Sequence, residues 1–373
     1  MEDQKSILSI EKRKQMNYKF KNLHLINFGK FTDINILFDK RITLLKGGCS
    51  LGHTIICKAL RILLCPLIYN YGYMNKFVGI NNYDFRIDLD GLLPSLETKI
   101  ESNFVFNKVD YLLEKSKNLD NMKVKNSKTY KTIQQEIEKQ NKQLIDHIKD
   151  LKNPRPLFPI IASYGEEYKD FIKDKDKYYK DMLIPQKAYY ECLEDPTHFT
   201  MFREWFYATY SEYISTKLHN DIKDVYFTKS TLDVMNSLVK KIYKKYNIDA
   251  LELKWNYNGG YISRSENKDT ISIITKKGEI DDIPTVVFII LDIAHKIIRL
   301  NGFNDISIKD SLKKTEGVVI IDGLEKRISL IDLNKMIYLL KDLFPNVQFI
   351  ISYPDTYSSN SIEEEKTISV VDL

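Results

Sequence analysis

Residues 47–54, Gly-Gly-Cys-Ser-Leu-Gly-His-Thr, have the spacing of a phosphate-binding loop. The pattern of such a loop is G-x-x-x-x-G-K-[ST], and His53 stands where the lysine belongs. In a working loop, backbone N–H groups hold the phosphates, the lysine reaches the outer phosphates and the hydroxyl side chain holds Mg²⁺. The predicted nucleotide-binding residues are Gly47, Gly48, Gly52, His53 and Thr54. The sequence keeps the glycines of the turn and the hydroxyl residue that would hold the metal, but it lacks the positively charged lysine side chain.

The flanking sequence distinguishes a phosphate site from an ordinary glycine turn. Residues 41–45 form a short apolar run that is typical of a buried strand. Residues 55–64 are apolar nearly all round, as in a buried helix. Strand, glycine loop and helix, in this order, are the context that a phosphate-binding loop requires. The sequence therefore predicts a P-loop fold.

Other segments resemble the heads of ABC-type ATPases of the SMC, RecF and OLD group. Residues 18–38 predict two alternating strands around an Asn-Phe-Gly-Lys turn, as at the start of those proteins. Residues 317–322 form a β-branched run that ends in Asp322 and resembles the Walker B strand. Residues 342–351 resemble the next strand of the family. The similarity covers roughly residues 18–355, in separated islands.

The resemblance also identifies what this chain has changed. Gly323 occupies the position of the family's catalytic glutamate, and Pro354 that of its switch histidine. Ile280 and Asp282 stand where the signature serine and glycine belong. Each lost preorganised donor typically costs about 10² to 10³ in rate. Losses at every charge-handling position predict that hydrolysis is lost.

Two interpretations of the remaining polar residues stay open. Asp322 and Thr54 either form a Mg²⁺ site, or Asp322 is a relic at a strand end. The catalytic candidates are Asp322 and Glu325, and the metal candidates are Thr54 and Asp322. ATP and Mg²⁺ are predicted to bind weakly or not at all, because the missing lysine removes a contact worth about 1.5 to 3 kcal/mol.

The predicted fold class is α/β: an ABC/SMC-type P-loop NTPase head, with a mixed sheet flanked by helices and an inserted, mainly helical lobe. The predicted parts are an N-terminal extension over 1–17, the first part of the head over 18–89, the lobe over 90–245 and the returning head over 246–373. Residues 286–300 resemble the helix that follows the family's signature. The P-loop lacks its lysine, and the signature lacks its serine and glycine. A dimer held together by ATP is therefore not expected.

Two function classes follow. The first is a non-hydrolytic scaffold or sensor in an anti-phage defence complex, partnered with an effector such as a nuclease. The resemblance implies this role, because islands at 159–165 and 189–206 match the Septu-type and retron-associated branch. The second is an active ATPase that uses His53 and Glu325, with nucleic acid as a possible target. A homo- or hetero-oligomer is expected in either class.

Composition bears on partners and location. The net charge of +5 is too small to establish a polyanion partner. Residues 107–153 are rich in lysine, and a solvated surface and a nucleic-acid-binding surface both stay open for them. Within them, Ile133, Ile137, Leu144 and Ile148 predict an amphipathic helix. With no membrane-length apolar run and no disulfide or metal spacing among four cysteines, a cytoplasmic protein is predicted.

Overall fold

The computed structural model describes residues 16–38, 40–47, 52–72, 78–87, 94–165, 184–190, 192–193, 198–219, 225–256, 270–281, 283–302, 307–323, 330–354 and 368–372. The strands are β1 (Tyr18–Phe20), β2 (Asn22–Phe28), β3 (Phe31–Leu37), β4 (Ile42–Gly47), β5 (Glu97–Phe106), β6 (Val109–Asn118), β7 (Val124–Asn126), β8 (Ile160–Tyr164), β9 (Ala250–Asn256), β10 (Thr270–Thr275), β11 (Gly278–Ile280), β12 (Gly317–Ile321), β13 (Val347–Pro354) and β14 (Ile368–Asp372). The helices are α1 (Gly52–Asn70), α2 (Thr129–Lys149), α3 (His198–His219), α4 (Val225–Lys244), α5 (Thr285–Asn301), α6 (Ile308–Lys314) and α7 (Leu330–Leu343).

A five-stranded parallel sheet, in the order β14-β4-β13-β12-β8, forms the centre of the molecule. Four of its strands, β4, β8, β12 and β13, are apolar runs with buried side chains on both faces, as expected of a parallel sheet covered by helices. Parallel strands share one carboxyl edge, so the ends of β4, β12 and β13 meet there. The predicted P-loop strand and the predicted Walker B strand are both in this sheet.

A second, antiparallel sheet has the order β3-β2-β5-β6-β7, and β1 also pairs with β5. Gln348 joins the two sheets: its side-chain amide accepts from the Phe20 N–H at 2.8 Å and donates to the Phe20 carbonyl at 2.9 Å. The α/β class is confirmed. The sequence predicted a mixed sheet, but parallel and antiparallel strands lie in separate sheets. This separation is expected when helices cover the parallel sheet and the antiparallel sheet leaves one face to solvent.

The range predicted as a helical lobe contains strands as well as helices. The strands β5, β6 and β7 belong to the antiparallel sheet, and β8 belongs to the parallel sheet. The helices α2, α3 and α4 lie in the same range. Sequence alternation in β6 was obscured because Lys115 and Lys117 are buried in it. The domain boundaries themselves stay predictions.

The predicted amphipathic helix is α2, and its buried face includes Ile133, Ile137 and Leu144. Ile148, near its end, is exposed. Among the lysines of this region, Lys117 donates to the Ile80 carbonyl at 3.1 Å and to Asn82 Oδ1 at 2.9 Å. Because Lys115 and Lys117 are buried, the basic surface of residues 107–153 is smaller than the sequence indicates.

One helix among the described residues, α1, is long and apolar enough to span a membrane by length and composition. Within its most apolar stretch, 67% of the residues are buried inside the fold. The helix packs in the core with β2, β4, β5, β6, β13 and α2. Its apolar character is accounted for by this burial, as in the core helix of a globular protein.

Candidate functional site

The candidate site lies at the carboxyl edge of the parallel sheet. There β4 ends at Gly47, which is in register with Pro354 on β13, and α1 begins at Gly52. Strand, loop and helix therefore follow in the predicted order. Gly48 and the rest of the loop up to Leu51 lie outside the described residues, as does Glu325. The described part of the site is the two ends of the loop and the residues around them.

Thr54 and Asp322 are brought into contact, although 268 residues separate them. Asp322 directly follows β12, two strands away from β4. Its Oδ1 accepts from the Thr54 hydroxyl at 3.3 Å and from the Ser352 hydroxyl at 2.8 Å. A hydroxyl and a carboxylate are hard oxygen donors, and Mg²⁺ is commonly held by such a pair together with phosphate oxygens and waters. The predicted metal pair thus has suitable chemistry and proximity.

The Asp322 carboxyl group is buried, with 4% of the residue exposed. Burial raises its pKa above the ordinary value, because the charged form loses water. Hydrogen bonds from Ser352 and Thr54 and the positive potential of His53 and Arg61 lower that pKa in part. A bound cation would also favour the charged form, so deprotonation of Asp322 and metal binding are linked.

Gly323, where the family has its catalytic glutamate, has a left-handed backbone with φ +70°. Its N–H donates to Ser352 Oγ at 2.8 Å, while the Ser352 hydroxyl donates to Asp322. A side chain at position 323 would be strained, because residues with a Cβ rarely adopt this conformation. Sequence reasoning missed Ser352; the available signal was a hydroxyl residue near the end of a buried strand beside Walker B.

His53 is buried at the start of α1, with 2% of the residue exposed. Its electrostatic effect is exerted on Asp322. A lysine at this place of the pattern would extend toward the phosphates. The imidazole is shorter and is enclosed by protein. The side chain at this position is therefore held inside the protein instead of extending toward a ligand.

Lys30 lies in the turn between β2 and β3. A Cβ on Gly52 would be 2.7 Å from Lys30 Nζ and 2.9 Å from its Cε. The Gly29 N–H donates to the Asp84 carbonyl at 2.7 Å. The turn also lies against α1, because a Cβ on Gly29 would be 2.8 Å from Ile55 Cδ1. The Lys30 ammonium is thus placed beside the first residue of α1.

The region of the predicted signature precedes α5. Ile280 ends β11, Asp281 is exposed, and Asp282 lies outside the described residues. Pro284 immediately precedes α5. Neither of the two described residues has the small hydroxyl or glycine character of the signature.

Further along α5, a buried charged cluster surrounds Asp292. Its carboxylate accepts from the Tyr164 hydroxyl at 2.8 Å and lies 3.2 Å from both Lys296 Nζ and His295 Nδ1. The His295 ring stacks near Trp205, at 4.6 Å between centroids. Both His295 and Trp205 are buried in the core. His24 lies at the surface between Asp33 and Glu101.

A cavity of about 430 Å³ opens at the opposite edge of the sheet from the P-loop. It lies at the amino ends of β8 and β12, where it is lined by residues such as Tyr18, Arg155 and Glu316. The cavity is therefore separate from the candidate site. In the described ranges, no group of three or more His, Cys, Asp or Glu residues could hold a metal ion. Cys57, Cys65 and Cys192 are buried and are not joined in disulfides.

No family model and no curated protein matches the chain. Among solved structures, an SMC head bound to the C-terminal winged-helix domain of ScpA is similar, with 12% identity, a TM-score of 0.46 and coverage of 89% of each chain. The SMC head domain of Thermotoga maritima is similar over 95% of this chain and 94% of its own, with 10% identity and a TM-score of 0.44.

The recombination mediator RecF with ATP is similar over 92% of this chain and 94% of its own, with 11% identity and a TM-score of 0.40. At these identities and TM-scores, the basis for the fold assignment is the chain's own geometry. A P-loop frame joins β4 to α1, a Walker B-like strand lies two strands away, and a separate antiparallel sheet precedes them. The chain therefore has an α/β fold with the strand, loop and helix order of a P-loop protein.

Proposed function

We propose that this protein is a P-loop ATPase-fold protein that does not hydrolyse nucleotide and acts as a scaffold or sensor subunit. The observation that carries the proposal is the left-handed backbone of Gly323, directly after Asp322. Relatives with the family pattern place a catalytic glutamate there. This chain has neither the side chain nor a backbone conformation that a glutamate would readily adopt.

The surroundings of Asp322 support the same conclusion. Ser352 accepts from the Gly323 N–H and donates to Asp322 Oδ1, so its hydroxyl makes hydrogen bonds within the protein. At the histidine position, Pro354 has no proton to transfer. Phosphoryl transfer depends almost wholly on positioned charges and on an oriented nucleophile. Without those groups, the fold would keep a nucleotide site but would not catalyse phosphoryl transfer.

Nucleotide binding is proposed to persist weakly. The N–H groups at the start of a helix attract phosphate, and α1 begins at this loop. Gly47, Gly48, Gly52 and His53 would surround the phosphates, while Thr54 and Asp322 would hold Mg²⁺, which neutralises phosphate charge when bound. Affinity in the high micromolar range is expected, because the P-loop lysine is absent.

The biological role is proposed from the sequence islands at 159–165 and 189–206 that resemble Septu-type and retron-associated proteins. The partner would be another protein, such as a nuclease effector of an anti-phage complex in the cytoplasm. Assembly would not depend on ATP, because Asp281 and Asp282 would face a partner's triphosphate with negative charge. Such a subunit would act through its surface rather than through turnover.

An active ATPase is the second candidate, and the contact between Thr54 and Asp322 favours it. Retention of both oxygen donors is what Mg-ATP chemistry would need. His53 and Glu325 would then act in place of the lost lysine and glutamate, with nucleic acid as a possible target. This candidate differs from the first in one measurable property, which is steady-state turnover.

The test is ATP hydrolysis by the purified protein at millimolar Mg-ATP, with Asp322→Ala purified in parallel. We expect the same background rate from both proteins, because a contaminating ATPase would be unaffected by the substitution. A wild-type rate that disappears in Asp322→Ala would establish the second candidate and overturn the first.

A further inference from the structure

We propose that the cavity at the amino ends of β8 and β12 binds a small organic anion, whose carboxylate or phosphate group is held by Arg155 and Lys314. The cavity has a volume of about 430 Å³, and ligand pockets typically have volumes of about 300 to 1,000 Å³. Every residue that lines it belongs to the described ranges. Because it lies at the opposite edge of the parallel sheet from the P-loop, the inference does not depend on the proposed nucleotide site.

The walls of the cavity are fixed by hydrogen bonds between distant segments. Asn17, which precedes β1, donates its backbone N–H and its side-chain amide to the Glu316 carboxylate at 2.6 and 3.0 Å. The Asn301 side chain, at the end of α5, accepts from the Phe158 N–H and donates to the Phe158 carbonyl, both at 2.9 Å. A cavity whose walls are already fixed needs little ordering to take a ligand, which lowers the cost of binding.

The charged residues of the lining leave an excess of positive charge. Both carboxylates are engaged, because Glu136 pairs with Lys139 at 2.6 Å and Glu316 accepts from the segment before β1. Lys314 is exposed, and no carboxylate in the described part of the chain pairs with it. Arg155 adds a second positive charge to the same lining. A negatively charged ligand is therefore favoured.

The Arg155 guanidinium is suited to an oxyanion. Arg155 is partly buried, and burial lowers the pKa of its guanidinium below the ordinary value. Arginine nevertheless stays charged in proteins, so an anion in the cavity would offset part of the hydration that the group has lost. Its planar shape allows two parallel hydrogen bonds to one carboxylate or phosphate. Lys314 is a point charge on a flexible stem, which can follow the ligand.

A buried hydroxyl group adds a neutral donor to the lining. Tyr18 is 7% exposed, and its oxygen accepts from the Gln140 side-chain amide at 3.1 Å. Gln140 in turn accepts from the Tyr71 hydroxyl at 2.9 Å. A phenol has one O–H to donate, and no acceptor for that of Tyr18 is found among the described residues. Burial raises the pKa of Tyr18 to about 12, so this O–H is present at neutral pH and can donate to a ligand oxygen.

The apolar part of the lining indicates that the ligand is organic and not a simple ion. Leu157 lines the cavity and is 41% exposed, and Pro156 and Pro159 lie on either side of it in the lining. A bare ion would leave this surface in water. An apolar group next to the oxyanion would cover the surface and gain the free energy of apolar burial.

The test measures the binding of hippurate and of phenyl phosphate by calorimetry, with hippuramide and phenol as their neutral counterparts. Both anions carry a phenyl ring, so the tighter of the two identifies carboxylate or phosphate as the preferred group. We expect a Kd below about 1 mM for that anion, and binding at least about tenfold weaker for its neutral counterpart. Asp322→Ala should bind the anion like the wild type, because the P-loop edge is not involved.

Four variants locate the site. Lys314→Gln should weaken binding of the preferred anion about threefold to tenfold, as should Tyr18→Phe, which keeps the ring and removes the O–H. Arg155→Gln should weaken it about tenfold or more. Because Arg155 is partly buried, the surface substitution Lys314→Gln repeats the test without a change in the interior. Lys313→Gln is the matched control, since Lys313 is the neighbouring exposed lysine and does not line the cavity.

The proposal is overturned if neither anion binds with a Kd below about 1 mM, or if the neutral counterpart binds as tightly as the anion. Equal binding by Lys314→Gln and Lys313→Gln, or loss of binding in Asp322→Ala, would overturn it as well. Absence of binding would leave the proposed non-hydrolytic function standing. Conversely, ATP turnover that requires Asp322 would refute the proposed function and leave the anion site unaffected.

Discussion

The protein contains two clusters of charged residues with opposite properties. Around Asp292, a buried carboxylate is surrounded by Tyr164, His295 and Lys296, all contributed by the protein itself. At the P-loop, Asp322 lies beside hydroxyl groups, and Lys30 lies beside the amino end of α1. The carboxylate of the first cluster is paired within the protein, whereas at the P-loop Lys30 has no carboxylate partner among the described residues.

The comparison shows how a structural network differs from a binding site when both contain charge. Buried charges are tolerated when they are paired, and loss of one partner leaves the others uncompensated. Charges that face an opening can instead be satisfied by a ligand. The α5 cluster should therefore govern stability, and the P-loop residues should govern binding with little effect on stability.

The largest effect is expected from Asp292→Ala. Removal of this carboxylate leaves Lys296 buried without its partner, which should lower the free energy of unfolding by about 3 to 5 kcal/mol. Denaturant unfolding measures the change. Asp110→Ala is the control, since Asp110 pairs with Lys21 at the surface and should cost less than about 1 kcal/mol. Equal costs for the two substitutions would remove the distinction between the clusters.

The next effect concerns acid stability. Burial lowers the pKa of His295 from 6.5 to about 4. Between these pH values the unfolded chain binds a proton that the folded protein does not, so stability falls as pH falls through this window. The loss from His295 should be on the order of 3 kcal/mol. Unfolding measured at pH 7 and pH 4 should show a smaller loss in His295→Asn, and identical losses would contradict this role.

A smaller effect on the free energy of unfolding is expected at Gly323, where backbone conformation, and not charge, differs from the family pattern. Gly323→Glu should destabilise the protein by about 1 to 2 kcal/mol, because the left-handed conformation is unfavourable for residues with a Cβ. Gly323→Asn should cost less, since asparagine tolerates that conformation better. ATP turnover should stay absent in Gly323→Glu. Recovered turnover in this variant would mean that the loss of the glutamate alone explains the inactivity.

The sequence predicted the elements with unbroken apolar patterns. The strands β4 and β12, the helix α1 and the helix α2 all follow from local periodicity or from the P-loop frame. The strand β6 did not, because its buried Lys115 and Lys117 break the apolar alternation on which a strand prediction depends. Such lysines can be accommodated only once neighbouring elements supply partners, such as the Ile80 carbonyl for Lys117.

The candidate site was predictable to the extent that it lies within a motif. Thr54 and Asp322 were identified from pattern positions, and the structure brings them together. Ser352 was missed because its contacts join distant segments: it lies 30 residues after Asp322. No local periodicity encodes those contacts.

The strand order has a consequence for synthesis of the chain. The P-loop strand β4 lies between β13 and β14, whose residues begin at 347 and 368. When β4 leaves the ribosome, neither neighbour exists, and about 15 to 60 s of translation separate it from β13 at typical rates. During that time, β4 and α1 cannot pack into their final sheet. The candidate site is thus among the last parts of the protein that can form, and chaperone dependence of the nascent chain should be concentrated on its first third.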